Sequence, residues 1–288
     1  MGYQRKIFAY YKRLREHLFF LEKKITRSLQ KIQGKKVIYA HWFAGRPNFG
    51  DLLTPLLLSC FGFTPINTSF NRSDILVVGS LLSSASQNYS GFILGSGLMF
   101  AERKNFQNAK LLALRGALTR DLINAPEETI LGDPALLISK YFKSDDTKKY
   151  VLGIVPHYVD KNDERLQKIR NRYPKDVKII DVEEEPQQVI DNIQRCEHIL
   201  SSSLHGLIVA DSFQIPSGWL LLSDKVYGKG FKFYDYASAF NNEMNPLTIN
   251  GHENLSELIQ YTSQMSDEIF IVQDSLESAF KSLVSEYS

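Results

Sequence analysis

Ile199-Leu200-Ser201-Ser202-Ser203-Leu204-His205-Gly206-Leu207-Ile208-Val209-Ala210-Asp211 decides how this chain is read. The pattern is a buried strand end, three hydroxyls, a histidine beside a glycine, and a short apolar helix. Serines ahead of an apolar run are helix N-cap residues, and the start of a helix offers free N–H groups and a partial positive charge. Such an end is a ready anion site, and Gly206 would let a ligand approach the backbone closely. His205, in the first turn, can touch the same ligand and move protons near neutral pH. The stretch by itself fits a second reading equally: a capped helix whose histidine faces solvent.

The segments on either side repeat the same unit of strand, turn and helix. In the second half, a strand over 150–155 ends in Pro156-His157-Tyr158 and precedes a polar helix over 163–172. A strand over 177–182, a helix over 186–196 and a strand over 198–200 deliver the serines; another strand over 219–222 leads to an aromatic, basic loop over 227–236. In the first half, strands are expected at 37–40, 74–78, 91–94, 109–114 and 130–131. Their ends carry Gly79-Ser80, Gly95-Ser96-Gly97, Arg115-Gly116 and Gly132-Asp133-Pro134. Asn48-Phe49-Gly50-Asp51 opens a helix over 52–60 with Pro55 early in it, where proline is tolerated, and further helices follow at 117–123 and after Pro134.

Strands apolar throughout belong to parallel sheets covered on both faces, and in such sheets ligands bind at the carboxyl ends of the strands. Those are the ends where the glycines cluster here. The fold class is α/β, with two doubly wound, Rossmann-like domains facing each other across a cleft. The polar run over 143–149 is the best linker, giving an N-terminal domain over 36–143 and a C-terminal domain over 144–288 that ends in helices. Gly95-Ser96-Gly97 lacks the third glycine and the downstream acidic residue of a dinucleotide fingerprint.

The chain has 288 residues, 43% hydrophobic and 23% charged, as in an ordinary soluble globular protein. Cys60 and Cys196 lie in apolar runs, which argues against a disulfide framework and for a reducing, cytoplasmic compartment. No run is apolar enough to span a bilayer, and the basic N-terminus lacks the apolar core of a signal peptide. The net charge of +2 hides an asymmetry. Residues 1–36 carry eleven Lys/Arg against Glu16 and Glu22, a net +9, and the remainder, with 23 basic and 30 acidic residues, carries −7. Within 1–35, Ile7, Tyr11, Leu14, Leu18, Leu21, Ile25, Leu29 and Ile32 recur at helical spacing, and Gly34 is a plausible stop. A basic amphipathic helix of this kind lies on anionic membrane surfaces; the same stripe also suits docking on the protein's own body or pairing with a second copy. Nucleic acid is not the expected partner, because the acidic body offers no second basic face.

Taken in order, several of these pieces resemble the polysaccharide pyruvyl transferase family, in particular its ketal-forming exopolysaccharide branch. They are Asn48-Phe49-Gly50-Asp51-Leu52-Leu53-Thr54-Pro55, Gly95-Ser96-Gly97, Leu114-Arg115-Gly116, Leu131-Gly132-Asp133-Pro134, Val155-Pro156-His157-Tyr158, Ser201 to Gly206, and Lys232-Phe233-Tyr234-Asp235-Tyr236. The resemblance implies transfer of a pyruvyl group from phosphoenolpyruvate onto two hydroxyls of a sugar in a polysaccharide precursor, giving a cyclic ketal and free phosphate. It also implies a glycosyltransferase B-like pair of domains, with no metal and no organic cofactor. Some members carry an arginine two residues before the motif histidine, where this chain has Ser203; the charge is then left to the helix N-terminus, Arg115, Arg120 or Lys232.

On this reading His205 is the general acid/base, with Asp51 as a carboxylate able to accept a sugar hydroxyl proton. Arg115, His157, Ser201, Ser202, Ser203, Leu204 and Gly206 face the donor; Asn48, Gly50, Lys232 and Tyr234 face the acceptor. Plainer roles compete: helix capping for Asn48 and Asp51, a surface ion pair for Arg115, a turn residue for Asp133, and a hydrophobic plug for the aromatics around Lys232. Two other functions fit the same architecture. One is a nucleotide-sugar glycosyltransferase, whose ribose grip would fall to Glu183-Glu184-Glu185; the other is a membrane-associated assembly protein without catalysis.

Overall fold

The computed structural model describes residues 21–23, 25, 36–143 and 147–287. The amphipathic arm therefore lies outside the described residues except at Leu21, Glu22, Lys23 and Ile25, which are helical. Lys23 is only 8% exposed, and its ammonium pairs with Asp74 and donates to the Arg72 carbonyl at 3.2 Å. The arm thus touches the protein's own body at that point.

Two parallel sheets carry the fold. The first contains β1 (Lys36–Ala40), β2 (Phe63–Asn67), β3 (Ile75–Leu76), β4 (Phe92–Leu94), β5 (Lys110–Leu114) and β6 (Ile130–Leu131), in the order β2-β1-β3-β4-β5-β6. The second contains β7 (Tyr150–Val155), β8 (Val177–Ile179), β9 (Cys196–Ser201) and β10 (Ser217–Trp219), in the order β10-β9-β7-β8. All the ladders between these strands are parallel. Covered on both faces, such strands are apolar throughout: Val37, Ile38, Tyr39 and Ala40 of β1 are all buried.

β2 was not foreseen. It carries Pro65, which cannot donate to a ladder, and it is tolerated because β2 is an edge strand. The helices are α1 (Phe49–Cys60), α2 (Ala117–Leu122), α3 (Ile138–Tyr141), α4 (Glu164–Arg172), α5 (Pro186–Gln194), α6 (Leu204–Ser212), α7 (Phe231–Ser238), α8 (Leu255–Ile259) and α9 (Glu268–Glu286). α1 starts earlier than read, so Pro55 falls in its interior and leaves the Asp51 carbonyl without an i+4 donor. The expected aromatic loop over 227–236 is a helix from Phe231 onward, entered through Gly228 (φ 99), Lys229 (φ 46) and Gly230 (φ 82). The left-handed turn stops the chain abruptly, and the aromatics then fall on a helix face.

A hydrophobic core shared by both sheets ties the halves together. Phe49, Leu53 and Leu57 of α1 join Val189, Ile193, Leu207 and Val209 from α5 and α6 in one cluster. α9 packs back on the first sheet, where Phe280 stacks on Phe61 at 4.2 Å and the buried Gln273 amide donates to the Leu136 carbonyl at 2.7 Å. α7 is held to the same half by its Asp235.

Candidate active site

Each sheet reverses its strand order at one point: between β1 and β3 in the first, between β7 and β9 in the second. A crevice opens outside the carboxyl ends of strands where the order reverses. Both crevices open onto one cavity of about 570 Å³. His41 follows β1, Gly79 and Ser80 follow β3, His157 follows β7, and Ser203, Leu204 and His205 follow β9; all line it. Asn48 and Asp51 from the start of α1, Lys232 from α7, and Lys225 and Tyr227 ahead of α7 line it as well.

His205 is set on the first turn of α6, and 13% of its side chain remains accessible. Its Nε2 is sealed from solvent and lies 3.8 Å from Asp133 Oδ2; neither atom has a hydrogen-bond partner. Burial, then Lys232 and Arg115, push the imidazole pKa down to about 3, while burial pushes the Asp133 carboxyl up to about 7. The ring's other nitrogen, Nδ1, lies against Gly50, where a Cβ would come within 2.1 Å of it. Gly50 is therefore absent from the cavity wall, and its role is to make room for the imidazole.

The triple serine divides its work. The single Ser201 hydroxyl proton is shared between the carbonyls of Val155 (2.9 Å) and Ser203 (2.7 Å), and Ser202 Oγ accepts from the His157 N–H at 2.8 Å. These two brace the tips of β7 and β9. Only Ser203 faces the cavity, and it is the N-cap of α6 with no side-chain cap bond, so the expected serine capping does not form. Gly206 faces inward: a Cβ there would meet Ser201 Oγ at 2.4 Å and Val155 Cγ1 at 2.8 Å. It serves close packing and is not on the cavity wall.

Arg115 is fully buried behind the wall. Its Nε donates to Asp235 at 2.8 Å, its Nη1 to Ser80 Oγ at 2.7 Å, and its Nη2 to the Leu98 carbonyl. Asp235 also accepts from the N–H (2.6 Å) and hydroxyl (2.7 Å) of Thr119. This network clamps α7 onto the first half and aims Lys232, one turn earlier, into the cavity. Arg120 pairs with Asp121 and is not on the wall. Of the groups able to replace the arginine missing at Ser203, the wall holds Lys232 and the N-terminus of α6. Among the described residues Lys232 has no hydrogen-bond or ion-pair partner, and burial, then Arg115, lower its pKa to about 8.

The other positions separate clearly. Asp51 accepts from the Asn48 amide at 2.6 Å, and burial raises its carboxyl above the usual range. Burial, then Lys232 and Arg46, hold His157 down at about 4. Tyr234, 43% exposed, faces a neighbouring cavity of about 270 Å³ with Trp219 and Phe233, away from His205. Glu183 is taken by Arg46 and Lys161, and none of Glu183, Glu184 and Glu185 is on the wall. Among the described residues no group of three His, Cys, Asp or Glu side chains is placed to hold a metal. No helix among them is long and apolar enough to cross a membrane.

The sequence profile described as polysaccharide pyruvyl transferase matches residues 2–223. The chain belongs to the polysaccharide pyruvyl transferase family. It is similar to an uncharacterized protein of Acanthamoeba polyphaga mimivirus, with 30% identity over 227 residues, 73% of this chain and 76% of that one. It is also similar to the succinoglycan biosynthesis protein ExoV of Rhizobium meliloti (strain 1021), with 26% identity over 208 residues, 68% of this chain and 63% of that one. The family match covers His157, the serines and His205 but ends before α7. Lys232 and Asp235 thus lie beyond the matched residues.

Asp133 is the residue that sequence reading undervalued. An Asp before a proline reads as a turn residue, and its Oδ1 does accept from Ala135 N at 2.9 Å. Nothing in the local pattern says that the second oxygen points at a histidine 72 positions later.

Proposed function

We propose that this transferase moves the pyruvyl group of phosphoenolpyruvate onto two hydroxyls of a sugar in a surface polysaccharide precursor, forming a cyclic ketal and releasing phosphate. One observation carries the reading: His205 and Lys232, a lysine without an ion-pair partner among the described residues, share a cavity at the two strand-order reversals. A donor with a phosphate and a carboxylate needs concentrated positive potential. Lys232, Ser203 and the N-terminus of α6 supply it.

The chemistry needs one proton delivered to the methylene carbon of the donor and one removed from each of two hydroxyls. The first proton makes C2 electrophilic. One hydroxyl adds there, the C2–O bond to phosphate breaks, and the second hydroxyl closes the ring. One hydroxyl proton returns to the enzyme and the other leaves on phosphate, so protons and charge balance. His205 is the group that gives and takes the proton; burial, then Lys232 and Arg115, hold the imidazole neutral, and an anionic donor beside Lys232 offsets the charge part of this in the complex. Asp51, polarised by Asn48, orients the acceptor. The two sheets act as a glycosyltransferase B-like pair, and the basic arm holds the enzyme at the anionic surface that carries a lipid-linked acceptor.

Phosphate release that requires both phosphoenolpyruvate and a glycan acceptor, accompanied by a mass increase of one pyruvate ketal and abolished by His205→Ala, tests the proposal. Phosphate release without acceptor, or full activity in His205→Ala, contradicts it.

A further inference from the structure

A buried polar atom without a partner calls for an explanation, and here two face each other. Asp133 Oδ2 and His205 Nε2 lie 3.8 Å apart, one after β6 and the other on α6, brought together across the interface of the two halves. A carboxylate and a neutral imidazole facing each other dry would each lose hydration without return. A single proton between them satisfies both.

We infer that Asp133 is the positioning residue of His205, holding a proton on Oδ2 for Nε2 so that Nδ1 is the nitrogen that works on the substrate. The inference rests on the pyruvyl transfer proposed above and assigns that step its proton source. Asp133 is fixed from its other side, because Oδ1 caps the turn Pro134–Leu137 through Ala135 N. Gly50 leaves the space that Nδ1 needs. The wider surroundings are Lys232, Asp235 and Tyr236 from α7, Arg115 after β5 and His157 after β7, with Asp51 of α1 on the same cavity wall as His205. None of them hydrogen-bonds to either atom.

In the step itself, Nδ1–H is given to the donor's methylene carbon as the Asp133 proton moves onto Nε2. The pair ends as carboxylate and neutral imidazole with its proton on the other nitrogen. A hydroxyl proton taken up by Nδ1 then drives the Nε2 proton back to Asp133. No buried imidazolium persists, and the pair finishes as it began. The present separation closes by ~1 Å when the donor enters, as catalytic hydrogen bonds commonly do on substrate binding.

Asp133→Asn separates this role from capping. Its carbonyl can still accept from Ala135 N and its amide can donate to Nε2, so the imidazole keeps its tautomer but the relay has no mobile proton. The expected result is a folded protein that binds phosphoenolpyruvate normally but releases phosphate about 100-fold more slowly, within the range for loss of a general acid. Imidazole nitrogen-15 shifts, assigned by difference with His205→Gln, should show Nδ1 protonated and Nε2 unprotonated in both wild type and Asp133→Asn. Turnover in Asp133→Asn within a few-fold of wild type, with an unchanged pH profile, would reduce Asp133 to a cap and overturn the inference. So would an Nε2-protonated imidazole in the wild type. If the wild type transfers no pyruvyl group at all, the proposed function fails, while the nitrogen shifts still judge the pair.

Discussion

Gly50→Ala should slow catalysis far more than it destabilises the fold. A Cβ at this position would lie 2.1 Å from His205 Nδ1, where ordinary contact begins near 3.4 Å. The imidazole must therefore retreat by about 1.3 Å, toward Asp133 or out into the cavity. Gly50 has helical neighbours on both sides, so alanine gains ~0.5–1 kcal/mol of helix stability. Overpacking costs ~1–3 kcal/mol, which places the net change between neutral and roughly 2.5 kcal/mol destabilising. For a chain of this length that is a fall in Tm of no more than about 5 °C. A displacement near 1 Å of a reacting group costs on the order of 100-fold in rate. Phosphate release should fall by that factor in a continuous assay with phosphoenolpyruvate and acceptor, with calorimetry run on the same preparation. Activity within a few-fold of wild type would mean that the imidazole need not stand where it does. A collapse in Tm would mean that Gly50 serves packing beyond the histidine.

Four further outcomes follow from the same geometry. Arg115→Met leaves Asp235 buried without its cation and should lower stability by about 3–5 kcal/mol in urea titration, and by loosening the clamp that aims Lys232 it should also weaken phosphoenolpyruvate binding. Lys232 loses its proton above about pH 8, so donor affinity by titration calorimetry should weaken as pH rises through that value, and Lys232→Met should bind weakly and without that dependence. His157 and His205, depressed to about 4 and 3, make acid destabilising once the unfolded imidazoles protonate; Asp133 and Asp211, raised to about 7 and 6, hold protons that the unfolded carboxyls lack and oppose this. Stability should hence change little between about pH 6 and 4.5, whereas Asp211→Asn, with one opposing group removed, should lose about 1.4 kcal/mol per pH unit on acidification. Removal of residues 1–33 should reduce sedimentation with anionic liposomes; equal binding with and without them would discard the membrane role of the arm.

Legibility differed by element. The apolar runs at 37–40, 150–155 and 198–200 were plain, since a strand buried on both faces has no polar side to blur it. β2 was hidden by Pro65, and α7 by the glycines at 228 and 230, both local signals overridden by context. Among the site residues, His205, Asp51, Asn48, His157, Ser203, Leu204 and Lys232 do share a wall. Arg115 illustrates the opposite case. At a strand end it reads as a ligand for anions, yet its guanidinium is spent on Asp235, which lies 120 positions away.

What the sequence determined on its own is the repeating unit: apolar runs of strand length, each ended by glycine or serine and followed by a helix, force parallel sheets with their reactive turns at one end. Periodicity and turn chemistry are local, so they can be read along a chain. The partner of a side chain is not local. Only the folded arrangement decided that Asp133 faces His205, that Gly50 yields space to it, that Arg115 is a clamp and that Lys232, without an ion-pair partner among the described residues, stands on the cavity wall. Burial decided their protonation as well, because the cost of a charge depends on what surrounds it in space rather than on its neighbours in sequence.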